Sequence, residues 1–138
     1  MSFDHEKLRV YQEAVGFVRW VHGILEKVPK GVAVRSHLDE ASSSVVLNIA
    51  EGNGKFTARD RCRFFDISRG SALECAGCLD VLVAKAVLSE EEVAPGKKIL
   101  ANVVSMLVGL IKSTSPSRVY EEVTAYESVA EDDNGDYD

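Results

Sequence analysis

Residues 44–54 read SVVLNIAEGNG, and the reading of this stretch decides the fold. Leu38, Ala41, Val45, Asn48 and Gly52 recur at alternating three- and four-residue spacing, so they share one face of a helix. Ser42, Ser43 and Ser44 are small enough to let a neighbouring helix approach closely. Gly52-Asn53-Gly54 then supplies residues that tolerate a left-handed backbone, the usual way to stop a helix. On this reading Asn48 is a polar residue on a buried seam, with Glu51 about one turn further on. Its role is either a hydrogen-bonded core amide that fixes helix register or part of a ligand site inside a bundle. The first is favoured because buried polar groups are normally satisfied by protein partners.

Working outward, a helix is expected before this one, over residues 4–27, with two apolar seams. Leu8, Tyr11, Val15, Val18 and Leu25 form one, with His22 in register; Ala14, Phe17, Val21, Ile24 and Val28 form the other. Pro29-Lys30-Gly31 ends it, and the second helix runs over residues 34–51. A third opens at Thr57, with Asp60 three residues on, and carries the seam Phe65, Ser68, Ala72, Cys75, Leu79, Leu82 and Ala86 before fading near Leu88. A fourth opens at Ser89 with Glu92 three on, a capping box, and Pro95-Gly96 is expected to break or delay its first turn. From residue 99 to 111 this helix is apolar nearly all round, which calls for cover on more than one side. Four amphipathic helices with short links predict an all-α, antiparallel up-down-up-down four-helix bundle over residues 1–113. The doubled seam of the first helix and the apolar girth of the fourth predict self-association through those two helices.

The chain has 138 residues and a net charge of −6, but the charge is unevenly placed. Residues 114–138 hold eight acids (Glu121, Glu122, Glu127, Glu131, Asp132, Asp133, Asp136, Asp138) against Arg118 alone. That segment therefore carries −7, and residues 1–113 are left at +1. Its composition predicts a disordered acidic tail. No apolar leader opens the chain and no unbroken apolar run reaches the ~20 residues that span a bilayer, so the expected setting is cytoplasmic, with no membrane partner.

Little in the sequence points to chemistry. Cys75 and Cys78 spell C-x-x-C, but with no strand before them and no second pair; with Cys62 they are expected to be buried free thiols. A di-metal site in a bundle needs Glu-x-x-His pairs, and the residues three before His5, His22 and His37 are Ser2, Arg19 and Val34. Glu51 and Glu74 could both face inward, yet two carboxylates without histidines make a poor metal site, and His22 reads as a core histidine. No metal, cofactor or catalytic residue is expected. The one charged feature that local helix energetics leave unexplained is Lys55, Arg59, Arg61, Arg63 and Arg69, because cations at the start of a helix oppose its dipole. They read either as a solvated face paired with Asp60 and Asp66 or as an anion site for the phosphates of RNA.

KLRVYQ at residues 7–12, NIAEG at 48–52, Phe64-Phe65 followed by Gly70, Ser71 and Glu74, and Leu88-Ser89 together resemble the bacterial four-helix-bundle proteins encoded in intervening sequences of 23S ribosomal RNA genes. The resemblance covers about residues 3–113. It implies a left-handed bundle, assembly as a homopentameric ring and no enzymatic activity. It gives Asn48, Glu51, Gly52, Gly70, Ser71 and Glu74 structural roles as motif residues. The accessory protein of diversity-generating retroelements, which is related, implies a second role as an RNA-binding partner of a reverse transcriptase. This chain has Glu40 where the family commonly has arginine, Val46 where it has proline and Ala76 in place of a second glutamate. The expected function is thus a non-catalytic oligomeric scaffold, and the alternative is an RNA-binding accessory protein that uses the basic cluster, with the acidic tail competing for it.

Overall fold

The computed structural model describes residues 2–115. It contains α1 (Arg9–Leu25), α2 (Val34–Asn53), α3 (Ala58–Ala84) and α4 (Glu90–Thr114), preceded by one 3-10 turn (Asp4–Lys7). Each helix packs on the next, and α4 closes back on α1, while among the described residues the backbones of diagonally opposed helices nowhere approach within 8 Å, Cα to Cα. This is an up-down four-helix bundle, as the four-seam pattern predicts. The expected disorder of the acidic segment falls at residues 116–138, outside the described residues.

The core runs the length of the bundle. Phe17 and Val21 of α1, Leu38, Val45 and Ile49 of α2, Phe65, Leu79 and Leu82 of α3, and Val103 and Leu107 of α4 are all buried. Each such side chain contributes about 1.5–3 kcal/mol by leaving water. Of the two seams expected on the first helix, the one through Ala14, Phe17, Val21, Ile24 and Val28 faces this core. In the other, Tyr11, Val15 and Val18 are half-buried and His22 is exposed, so His22 is not a core histidine.

Helix starts follow the capping chemistry legible in the sequence. Thr57 accepts a hydrogen bond from the Asp60 backbone N–H at 3.1 Å. Ser89 and Glu92 form a reciprocal box, the Glu92 N–H donating to Ser89 Oγ at 3.1 Å and the Ser89 N–H to Glu92 Oε1 at 3.0 Å. These bonds satisfy donors that the first helical turn leaves orphaned.

Helix ends and interruptions differ from the expectation in four places. The first helix does not begin at Asp4: Leu8 is extended (φ −72°, ψ 127°) and separates the 3-10 turn from α1. The turn is held instead by Asn53, whose Nδ2 donates to Asp4 Oδ2 at 2.9 Å. Gly52 does not stop α2, which continues to Asn53 and ends at Gly54 with φ −86°, and no glycine has a positive φ among the described residues. Ala86 is not on the α3 seam; it lies beyond the helix at φ 59°. There the Val87 N–H reaches the Leu82 carbonyl at 3.0 Å and the Ala86 N–H reaches Val83 at 2.9 Å, a Schellman termination made with alanine. Finally, Pro95 leaves α4 unbroken. Pro95 is exposed on the outer side of α4, while Gly96 lies so close under the ring of Trp20 that a Cβ would overlap it.

By length and composition α4 could cross a membrane. Here Val93, Leu100, Val103, Leu107 and Ile111 bury one side of it in the bundle, and Ile99, Val104, Met106 and Leu110 pack against the edge of the same core.

Candidate functional site

The motif residues of α2 and α3 meet along one seam. Ser68 donates to the Val45 carbonyl at 2.8 Å, a buried cross-helix bond. One turn outward, the Ser44 and Ser71 hydroxyls lie 2.7 Å apart. Asn48 is not a core amide. It is half-buried beside this pair, and its Nδ2 donates to the Ser44 carbonyl at 2.8 Å and to Ser44 Oγ at 3.0 Å. Ile49 takes the core position that the spacing offered to Asn48. Gly52 is buried against Phe64 and Phe65, a contact that only a residue without a Cβ allows. The seam thus reads as polar register bonds between two close helices, with every named group supplied by the protein.

The two acids of the motif do not face inward. Glu51 is exposed and pairs with Lys55 at 3.5 Å, while Glu74 is exposed on α3. Gly70 is exposed, with open space where a side chain would stand. Among the described residues no three His, Cys, Asp or Glu side chains converge to hold a metal ion.

Cys62, Cys75 and Cys78 are all buried. Burial, with smaller contributions from Cys78 and Glu74, pushes the Cys75 thiol up to about 12. Burial likewise raises Cys78, helped by Glu74. Neither is poised as a nucleophile, because the thiolate is the reactive form.

The five cations at the α2–α3 end do not form one flat patch. Lys55 Nζ and the Arg63 guanidinium both lie over the Phe64 ring, at 5.0 and 4.7 Å from its centroid. Arg59 and Arg63 are exposed and share the outer face of α3, one turn apart. Arg61 is set about 200° around the helix from Arg59 and is half-buried. Its Nε is buried without a hydrogen-bond partner. Arg69 bonds Asp66 Oδ1 through Nε at 3.0 Å and Nη2 at 2.9 Å. Next to Lys55, Phe56 is fully exposed, an aromatic that sequence pattern alone does not mark as part of the cluster.

A shallow open groove along the outer side of α2 is lined by Asp39, Glu40, Ser43, Ser44, Leu47 and Asn48. Two acids and no cation face it, so it is a poor site for an anionic ligand.

No curated protein matches the chain. The fold is shared with a crystal structure from Bacteroides thetaiotaomicron, described as a protein with unknown function from the S23 ribosomal protein family. The two are 16% identical with a TM-score of 0.71, over 75% of this chain and 98% of that one. A family model described as 23S rRNA-intervening sequence protein matches residues 6–109. That span runs from the 3-10 turn into the last turns of α4, and the chain therefore belongs to the 23S rRNA-intervening sequence protein family.

Proposed function

We propose that the protein is a non-catalytic scaffold that assembles as a homopentameric ring. The observation that carries this reading is the apolar surface left uncovered on one side of the bundle. Leu47 of α2 and Ile67, Leu73 and Val81 of α3 are exposed at 65, 43, 52 and 39%. On α3, Arg63, Ile67, Gly70, Glu74, Gly77 and Val81 follow a four–three spacing, the pattern of a helix-packing seam. Gly70 and Gly77 both have open space, so a partner helix can approach the backbone there.

A closed ring needs two different patches on each subunit. In this bundle the α2–α3 side lies opposite the α1–α4 side, where Val15 and Val18 of α1 and Val108 of α4 are half-buried without belonging to the core. The sequence reading put much of the interface on the first and fourth helices. The exposure of Leu47, Ile67, Leu73 and Val81 adds the α2–α3 side as its complement.

Sedimentation equilibrium tests the scaffold directly. The expected mass is five times the 15.1 kDa chain, and Ile67→Glu or Leu73→Glu is expected to lower it. A wild-type monomer at micromolar concentration overturns the reading.

A specific observation favours a second reading, RNA binding at the basic end. Phe56 is fully exposed beside Lys55, and Phe64 lies under both Lys55 and Arg63. Aromatic faces flanked by cations are how proteins hold unpaired bases and their phosphates. Fluorescence anisotropy with a single-stranded RNA should show binding that falls steeply with salt and weakens in Phe56→Ala and Arg63→Gln. No binding at low salt removes this reading and leaves the scaffold intact.

A further inference from the structure

We propose that Asn53 is a one-way modification site: spontaneous deamidation at Asn53-Gly54 is held back by Asp4 and the last turn of α2 and, once it occurs, releases the 3-10 turn Asp4–Lys7. The inference depends neither on the ring nor on RNA binding.

An asparagine followed by glycine is the pair in which this chemistry is least hindered, since Gly54 brings no side chain against the attacking nitrogen. The Gly54 backbone nitrogen attacks the Asn53 side-chain carbonyl carbon. A C–N bond forms, the Cγ–Nδ2 bond breaks, and Nδ2 leaves as ammonia, taking up the proton that the Gly54 nitrogen loses. Water then opens the cyclic imide. Opening at the side-chain carbonyl leaves aspartate; opening at the main-chain carbonyl leaves isoaspartate, in which the chain runs on through the side-chain carbon. One water enters and one ammonia leaves, with no oxidant, reductant or enzyme.

The structure restrains the first step. Asn53 is the last residue of α2, and helical backbone keeps the Gly54 nitrogen turned away from the Asn53 side-chain carbonyl. The Gly54 N–H is engaged by the Ala50 and Glu51 carbonyls at 3.3 and 3.2 Å, so the nucleophile's proton is held. Asn53 Nδ2, the leaving nitrogen, donates to Asp4 Oδ2 at 2.9 Å, which pins the amide across to the 3-10 turn. That turn is placed by its own bonds, from the Phe3 N–H to Glu6 Oε2 and from Gln12 Nε2 to the Glu6 carbonyl, both at 3.0 Å. These bonds lie at an exposed helix end, where local opening costs least, so they slow the reaction and do not forbid it.

The product does not restore the latch. A carboxylate at position 53 has no N–H to give Asp4 and faces it with like charge. Isoaspartate also inserts a methylene into the main chain. This breaks the register of the Gly54 bonds and of the Lys55 N–H to the Gly52 carbonyl at 3.2 Å, which together set the entry to Lys55 and Phe56. Because ammonia is lost, no rearrangement of the chain returns the amide.

The test uses the full-length protein, incubated at physiological temperature in mildly alkaline buffer with and without urea. Peptide mass spectrometry with electron-based fragmentation follows aspartate and isoaspartate at position 53. The expected order of rates is urea-unfolded wild type, then native Asp4→Ala, then native wild type, with a severalfold gap at each step. Asp4→Asn, whose side-chain carbonyl still accepts from Asn53, should stay near the wild type. Hydrogen exchange reads the release. The Glu6 and Leu8 N–H groups, bonded to the Phe3 and His5 carbonyls at 3.1 Å, should exchange severalfold faster in Asn53→Asp than in the wild type, while amides in the middle of α3 keep their rates. The proposal is overturned by no conversion of the native wild type over the time in which the unfolded chain converts fully. It is equally overturned by a native Asp4→Ala rate no faster than the wild type, or by unchanged exchange at Glu6 and Leu8 in Asn53→Asp.

Discussion

Gly52 of α2 lies against the ring of Phe65 of α3: a Cβ at position 52 would stand 2.8 Å from Phe65 Cε1 and 3.0 Å from Phe64 Cβ. Phe65 is fully buried and cannot swing away. The glycine therefore sets how closely the two helices approach near the turn that joins them. Gly52→Ala places a methyl inside that contact, and forced overpacking typically costs about 1–3 kcal/mol. The alanine's better helix propensity, up to ~1 kcal/mol, offsets only part of this. Urea denaturation should show a lower midpoint for Gly52→Ala. A midpoint equal to or above the wild type would mean that α2 and α3 move apart without cost.

The other end of α3 predicts the opposite sign. Ala86 holds φ 59°, where an L-residue is disfavoured by roughly 1–2 kcal/mol. It does so because the chain must reverse between Lys85 and Leu88, both anchored by backbone bonds to the last turn of α3. Ala86→Gly removes the steric penalty and adds some unfolded-state entropy, for a net gain of about 0.5–1 kcal/mol. A raised thermal midpoint is the expected outcome, and a lowered one would show that the left-handed turn is not retained in solution.

These two positions also show what could be read from the sequence and what could not. The helix count, the Thr57 and Ser89 caps and most of the core follow from periodicity and short-range hydrogen bonding, which are local properties of the chain. Gly52 was legible as special but for the wrong reason, because a glycine that ends a helix and one that admits a neighbour's ring look alike in sequence. Asn48 and Ile49 both fit the three–four spacing after Val45. The choice depends on Ser44 and Ser71, and a hydrogen bond between residues 27 apart leaves no local trace. The first helix posed the same ambiguity between two seams, resolved only by where α2 and α4 sit. In the basic cluster the charges were visible, but not that Arg61 turns from Arg63 while Phe56 and Phe64 join it.

The buried thiols give a chemical prediction. With Cys75 at about 12 against an ordinary value of 9.0, its thiolate fraction at neutral pH falls about a thousandfold. Ellman's reagent should therefore leave Cys75 unmodified in the native protein at pH 8, and label it on adding urea. The linkage sign follows: the folded state holds the proton more tightly, so this contribution is full below pH 9 and is lost as pH rises from there toward 12. Cys75→Ala should lose less stability than the wild type between neutral pH and pH 10. Prompt labelling of Cys75 in the native protein would contradict its burial.

Glu92 titrates on the opposite side of neutrality. The Ser89 backbone N–H and then Lys27 hold its carboxyl below the ordinary 4.5. The Lys27 Nζ sits 3.2 Å from Glu92 Oε2, tying the end of α1 to the start of α4. Because the folded value is depressed, this stabilisation is present above the unfolded value and is lost as pH falls through the folded one. Glu92→Gln is the informative variant, since a glutamine can still accept from the Ser89 N–H but carries no charge to titrate. Thermal midpoints from pH 7 down to pH 3 should fall less steeply in Glu92→Gln than in the wild type, with the curves converging at the acid end. Lys27→Met should remove part of the same slope while leaving the cap intact. Parallel curves for the wild type and Glu92→Gln would assign the acid sensitivity of the bundle to other carboxylates.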